Sequence, residues 1–317
     1  MSNPSAPVAL SVVICTHNPR SAALERTMDS LRAQSLPLTA WELVVIDNAS
    51  SPPLRTRLDL SWHPRARIVE EPTLGLTQAR IAGIRHTSAP LLVGVDDDNV
   101  LAPDYLAVAL GLGAEKPFLG VWGGAVIPEF ETQPPDWIRP YLGLLALRDP
   151  RVEVWAKSDV LTDAIPCGAG ICFRRQVANR WVDSMAANPL RLRLGRIGLA
   201  LGSGEDGDLA FTACDLGMAA GVFPRLRLVH LIPARRVSLD YMEHLVEDMY
   251  RSEVLLRSLR HPVESRPPVG TVARLFRLYS ECRMSTPVRR LMRAANRGTR
   301  SGYALAAKVQ RAEPSPA

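Results

Sequence analysis

The chain has 317 residues, 47% of them apolar, and a formal net charge of +6, which is enough apolar material for one large packed domain or two small ones. Its five cysteines (Cys15, Cys167, Cys172, Cys214 and Cys282) are odd in number and lack paired CxxC spacing, which argues against a disulfide framework or a structural zinc and suits a reducing compartment. The N-terminal MSNPSAP has no basic or apolar leader segment, so no secretory signal is expected, and the longest uncharged apolar stretch, 118–127, falls short of the ~20 residues that a spanning helix needs.

Residues 9–15 (ALSVVIC) form a continuous apolar, β-branched run that predicts a strand buried on both faces, as in a parallel sheet. It ends at Thr16-His-Asn-Pro-Arg20. Leu24, Met28 and Leu31 then recur at helical spacing from a cap expected at Ser21, giving a helix that stops before Pro37. Residues 42–46 (ELVVI) are a second strand and end in the polar cluster Asp47-Asn-Ala-Ser-Ser51. A short strand at 67–70 leads to a helix over 75–85, whose Leu76, Ala79, Ala82 and Gly83 make a face small enough to pack tightly on a sheet.

Residues 91–100 (LLVGVDDDNV) are an apolar run that ends in Asp96, Asp97 and Asp98. Three carboxylates at the mouth of a buried strand repel one another, so a positive charge is needed there. A hard divalent cation such as Mg²⁺ or Mn²⁺ suits carboxylate oxygens and is usually completed by substrate phosphates. In an extended segment Asp96 and Asp98 share a face while Asp97 takes the other, so two of the three could share one ion. A polar turn capping the next helix would need only one such residue. Polar loops at the carboxyl ends of parallel strands are where an open α/β sheet binds its ligand, so Asp47 and Asp96–Asp98 are expected to face one crevice.

From Phe118 the character changes. The strand at 118–127 carries adjacent glycines, Gly123 and Gly124, which predict a bulge or a close backbone approach. A proline-rich run with Trp137 and Tyr141 follows as a semi-rigid loop or lid, then a strand at 169–174 and a helix at about 175–186. The acidic stretch Gly202-Ser-Gly-Glu-Asp-Gly-Asp208 opens a helix that Gly217 closes; acidic residues in a first turn also suit the helix dipole. A strand at 226–232 carries His230, and an amphipathic helix runs from 238 to 258. A linker from 261 leads into a tail in which residues 270–317 hold ten Lys/Arg against Glu281 and Glu313. Its Leu275, Phe276, Leu278, Tyr279, Leu291 and Met292, interleaved with arginines, read either as a solvated face or as a segment lying on anionic lipid.

Taken in order, these motifs resemble the family-2 glycosyltransferases over residues 8–260. Residues 11–20 are similar to the strand and turn that grip the nucleotide base, 44–50 to the strand whose aspartate contacts base or ribose, Gly75-Leu-Thr-Gln-Ala-Arg80 to the element beside the diphosphate, Asp96-Asp97-Asp98 to the metal-binding DxD, and 203–208 to the segment that supplies the catalytic base. His17 stands where the family often has an aromatic, and Ile81 where it often has Asn. Leu194-Gly-Arg-Ile-Gly198 and Ser203-Gly-Glu205 also look similar to a subgroup that makes bacterial surface polysaccharides.

The resemblance implies an α/β GT-A fold: a Rossmann-like, mostly parallel sheet flanked by helices, with a helical C-terminal extension. The catalytic domain would span 1–260, with 8–115 as the nucleotide-binding half and 116–260 as the acceptor and catalytic half; 261–317 would be linker and basic helical tail. It implies a metal-dependent, inverting transfer from a UDP, GDP or TDP sugar to a saccharide or lipid-linked saccharide in polysaccharide or glycolipid synthesis, with no nucleic-acid partner. The expected location is cytoplasmic, peripheral at the inner face of the membrane through the tail. Asp206 is the expected base, with Glu205 or Asp208 raising its pKa and orienting it. Cys15, Thr16, His17, Asn18, Arg20, Asp47, Arg80, Asp96 and Asp97 are expected at the nucleotide, and Asp96, Asp98 and His230 at the Mn²⁺ or Mg²⁺. A sugar nucleotidyltransferase would open with a glycine-rich phosphate loop, which Thr16–Arg20 is not. An inactive carbohydrate-binding scaffold would have no reason to keep the three aspartates together with the Glu-Asp pair.

Overall fold

A computed structural model describes residues 8–261 and 283–312. The strands are β1 (Leu10–Thr16), β2 (Trp41–Asp47), β3 (Ala66–Glu70), β4 (Leu91–Asp96), β5 (Asn99–Leu101), β6 (Leu119–Phe130), β7 (Val154–Ala156), β8 (Cys172–Arg174) and β9 (Ala219–Ile232). The helices are α1 (Ser21–Arg32), α2 (Leu76–Arg85), α3 (Tyr105–Glu115), α4 (Arg175–Ala187), α5 (Glu205–Asp215), α6 (Leu239–Ser258) and α7 (Thr286–Ala312). One sheet holds the strands in the order β3-β2-β1-β4-β8-β6-β9-β5, with β7 pairing beside β9. β1 to β4 are mutually parallel and β6 is parallel to β9, while β8, β5 and β7 run antiparallel to their neighbours.

Burial on both faces explains why β1, β2 and β4 are mostly apolar. Leu10, Val12 and Ile14 of β1, Leu43 and Val45 of β2, and Leu91, Val93 and Val95 of β4 pack on one face with Leu24, Met28 and Leu31 of α1 and Leu106, Ala109 and Leu112 of α3. Val13, Val44, Ile46 and Leu92 pack on the other face with Ala79 and Ala82 of α2, Val177 and Trp181 of α4, and Leu209 of α5. A sheet covered on both sides leaves few polar positions in its strands, and those it has are paired, as Ser11 is with Glu42. Each fully buried Leu or Ile contributes roughly 1.5–3 kcal/mol relative to exposure.

The glycine pair in β6 marks an irregular register, as its sequence implies: partners jump from Phe223 at Gly124 to Arg227 at Ala125. A Cβ on Gly124 would lie 2.1 Å from the Leu226 carbonyl oxygen, so the bulged backbone of β9 occupies the side-chain space that Gly124 leaves free. β9 begins seven residues before the strand expected at 226, and it carries its end, with His230, beside β5, where Asn99 pairs with His230. The proline-rich run forms a 3₁₀ segment (Asp136–Leu145) whose Ile138 and Leu145 are buried with Trp137 and Tyr141 against α6 and α7, which is ordinary packing.

Over its described part the basic tail packs on the rest of the chain. Helix α7 lies along α6, burying Leu291 and Ala294, and its Arg290 and Arg297 pair with Asp240, Glu243 and Glu247 of α6. Those two arginines, still 41% and 48% exposed, are paired with an acidic helix face. Leu275, Phe276, Leu278 and Tyr279 lie outside the described residues. Among the described residues no helix is long and apolar enough to cross a membrane.

Candidate functional site

The carboxyl ends of β1, β2 and β4 open into a crevice of about 380 Å³, lined by Cys15, Thr16, His17, Asn48, Gly75, Arg80, Asp96, Asp97, Asp98, Arg196, Glu205, Asp206, His230, Arg235, Arg236 and Tyr241. That volume lies within the usual range of ligand pockets. Its place follows from topology, because each parallel strand releases its loop at the same edge of the sheet.

On the donor side the loops are tied to one another. His17 donates through Nδ1 to the Asn48 carbonyl at 2.7 Å, and Asn18, in the left-handed region that Asn tolerates, accepts from Ser51 N–H at 2.8 Å. Asn48 itself was not foreseen. Its buried side chain accepts from Gly75 N–H and donates to the Glu71 and Thr73 carbonyls, so one amide holds the loop that leads into α2. Three of the residues expected at the nucleotide lie outside the crevice lining. Asp47 does not line the crevice, because its carboxylate accepts from Ser50 N–H and Leu54 N–H and so folds its own loop. Arg20 is drawn away to Glu131 and to the Leu231 carbonyl. Asn18 lies outside the crevice lining and supports its rim.

Asp96 ends β4, and Asp97 and Asp98 form the turn into β5, so the extended alternation expected for the three stops at Asp96. All three still reach the crevice. The Asp96 carboxylate accepts no hydrogen bond among the described residues, and burial and then the Asp98 charge raise its pKa. Asp97 accepts from the Thr16 hydroxyl, but burial and the Asp98 charge push it up to about 7. For Asp98, burial is outweighed by His230 and Arg236, which bring it down to about 2. Arg236 Nη2 stands 3.1 Å from Asp98 Oδ2, while Arg236 Nη1 donates to His230 Nε2 at 2.8 Å. That nitrogen is therefore spent as an acceptor, and it lies 3.5 Å from Asp98 Oδ2, beyond a good hydrogen bond.

Two hard carboxylates and an imidazole whose buried Nδ1 has no partner are a suitable donor set for Mn²⁺ or Mg²⁺. As the side chains stand, however, no three His, Cys, Asp or Glu among the described residues gather closely enough to hold an ion. Arg236 takes up Asp98 Oδ2 and His230 Nε2, and so leaves the histidine only its buried Nδ1.

The second acidic cluster is the first turn of α5, and its three members have different surroundings. Asp206 accepts from Arg80 Nη1 at 2.9 Å and from Gly168 N–H at 2.7 Å, and stays partly exposed on the crevice. Gly168 must lack a side chain, since a Cβ there would lie 2.6 Å from Arg80 Nη2 and 2.7 Å from Asp206 Oδ1. Glu205 is 3% exposed, neither of its oxygens has a hydrogen-bond partner, and burial pushes its carboxyl up to about 7 although Arg80 pulls the other way. Asp208 lies outside the crevice lining. It accepts from Trp181 Nε1 at 2.9 Å and from Arg191 at 2.5 Å, so Arg80 and Gly168, not Asp208, orient Asp206. Arg80, expected at a diphosphate, lines the crevice and pairs with Asp206 and, at 3.5 Å, with Glu205.

A family model described as "Glycosyl transferase family 2" matches residues 11–178, more than half of the chain. Validoxylamine A glucosyltransferase from Streptomyces hygroscopicus subsp. jinggangensis (strain 5008) is 38% identical over 109 residues, covering 33% of this chain and 25% of that protein. The match thus spans about a quarter of that relative's length. Among solved structures, S. aureus TarS 1–349 superposes with a TM-score of 0.50 at 14% identity, covering 96% of this chain and 92% of that one. The mannosyltransferase PcManGT from Pyrobaculum calidifontis, in complex with GDP-Man and Mn²⁺, gives 0.51 at 18% identity, covering 99% and 78%.

Proposed function

The chain belongs to glycosyl transferase family 2 and is a glycosyltransferase with the GT-A fold, and from that premise we propose that it moves a sugar from a nucleoside-diphosphate donor to an acceptor hydroxyl with inversion, using Asp206 as general base. The observation that carries this reading is the convergence of Asp206, Asp96, Asp97 and Asp98 on one crevice with the loops that follow β1 and β2. A base must reach the acceptor proton while fixed in direction. Asp206 is held by Arg80 and Gly168 N–H yet remains open to the crevice.

In this reading the nucleotide lies along Cys15, Thr16, His17, Asn48 and Gly75. Asp96 and Asp98, with His230 as a third candidate, hold Mn²⁺ or Mg²⁺, which when bound supplies positive charge for the leaving diphosphate. The complex of PcManGT with GDP-Man and Mn²⁺, and that of TarS with UDP, support a nucleotide donor. Residues 8–115 then serve the donor and 116–260 the acceptor, a saccharide or lipid-linked saccharide of bacterial polysaccharide or glycolipid synthesis met at the inner face of the membrane. Thermal shift with UDP, GDP and TDP, each with and without Mn²⁺, tests the donor half of the proposal. Stabilisation by one nucleotide only when Mn²⁺ is present is the expected result; no response to any pair would overturn it.

A further inference from the structure

We propose that Arg236 is a resident counter-cation of the donor site, one that holds Asp98 and His230 in place and competes with the divalent ion for them until a nucleotide diphosphate binds. This rests on the reading of Asp98 and His230 as metal-site residues. Five carboxylates, Asp96, Asp97, Asp98, Glu205 and Asp206, line the crevice. Asp98 and His230 are 5% and 4% exposed, so water cannot screen the charge of Asp98 well. A single guanidinium reaches both, at 3.1 Å to Asp98 Oδ2 and 2.8 Å to His230 Nε2. Its planar fork can bridge two acceptors, which an ammonium cannot do in the same way.

The backbone makes this pose specific. Leu231 N–H donates to the Asp98 carbonyl at 2.9 Å and Asn99 pairs with His230, so the aspartate and the histidine arrive together. Arg236 lies in a 3₁₀ turn (Ala234–Val237) that is fixed at one end by Pro233, whose carbonyl accepts from Arg236 N–H, and at the other by buried Val237. Its Nε is buried without a partner. The guanidinium thus keeps one donor unused while its other two nitrogens engage the metal-site atoms. Arg236 lines the crevice with part of its side chain exposed, so a diphosphate there would draw the guanidinium and weaken its hold on Asp98, which couples arrival of the nucleotide to admission of the ion.

Binding of Mn²⁺ to the full chain, followed by loss of the free-ion electron paramagnetic resonance signal, tests this directly. Wild type, Arg236→Gln and Arg236→Lys are each titrated with Mn²⁺ alone and with Mn²⁺ plus UDP or GDP, whichever stabilises the protein. Wild type is expected to bind Mn²⁺ alone at least about tenfold more weakly than with nucleotide. Arg236→Gln is expected to bind Mn²⁺ alone about tenfold more tightly than wild type and so to narrow that gap, with Arg236→Lys in between. An unchanged or weaker affinity for Mn²⁺ alone in Arg236→Gln overturns the inference. Should that variant fail to fold, a wild type whose Mn²⁺ affinity ignores nucleotide, or an Arg236→Lys identical to wild type, overturns it equally. Mn²⁺ binding to no form under any condition removes the metal reading beneath it; normal binding that is indifferent to residue 236 removes this inference alone.

Discussion

Two acidic clusters reach the same crevice from different backbones, one from the turn after β4 and one from the first turn of α5. Each contains one carboxylate paired with a partly buried arginine: Asp98 with Arg236, and Asp208 with Arg191. Each contains one held by a neutral donor: Asp97 by the Thr16 hydroxyl, and Asp206 by Gly168 N–H, with Arg80 in addition. Each contains one with no hydrogen-bonded partner, and here they diverge. Burial raises the pKa of both, but Asp96 keeps part of its surface on the crevice, whereas Glu205 is walled in. Equal charge in the sequence therefore becomes three different tasks, which are set by what each side chain meets. A carboxylate left open can take a cation or a substrate; one that is enclosed can only cost stability or hold its neighbours in place.

The sharpest way to break the comparison is at Asp206. Asp206→Asn keeps the shape and the contact with Arg80 but loses the base, so transfer is expected to fall by roughly two to four orders of magnitude with donor affinity nearly intact. Single-turnover rates beside equilibrium nucleotide binding separate the two, and a loss confined to affinity would move Asp206 into the donor site. Asp208→Ala should do the reverse. It strands Arg191 and the Trp181 indole, and destabilises the fold by about 3 kcal/mol, as broken buried pairs do, while the folded fraction keeps its turnover. Urea denaturation together with activity per folded molecule reads both.

Glu205 gives a prediction in pH. Its carboxyl titrates at about 7 in the folded chain against an ordinary 4.5, so the folded state holds a proton that the unfolded state has already released. Stability should be fullest below about pH 4.5 and should decline as pH rises through about 7. Glu205→Gln should remove that decline and raise the melting temperature at pH 8 relative to wild type, with a difference on the order of 1–3 kcal/mol. A slope that survives the substitution would assign it to another group. The smallest expected effect is at Thr16. Thr16→Val deletes the donor to Asp97 without changing charge, and a KM for donor raised by less than about tenfold, with kcat unchanged, is expected from steady-state kinetics.

Much of the frame could be read directly from the residues, because buried parallel strands and amphipathic helices announce themselves by periodicity. β1, β2, β4, α4 and α6 lie within a residue or two of their expected spans. β5 and β7 were not legible, since three residues show no period, and the first half of β9 was hidden by Gly221 and Pro224, which read as breaks. The site was legible as a set of acidic and basic residues but not as a set of pairs. Nothing local to Asp47 says that its oxygens serve Ser50 and Leu54, and nothing local to Arg20 points to Glu131. Asn48, Arg191 and Arg236 were passed over because their partners are remote in the chain and appear only when strands register.

The place of β9 in the sheet bears on how the molecule is made. β6 has β8 on one side and β9 on the other, and β5 pairs with β9. A nascent chain that has emerged only as far as residue 178, the extent of the family match, therefore carries a long apolar strand with a bare edge and an acidic turn with neither His230 nor Arg236 beside it. Such an edge is a template for pairing with other chains until the next fifty residues arrive. The crevice can close only once the chain has emerged as far as Tyr241, so this protein depends on protection during translation more than a domain built from neighbouring strands would, and a fragment ending at residue 178 would be expected to aggregate.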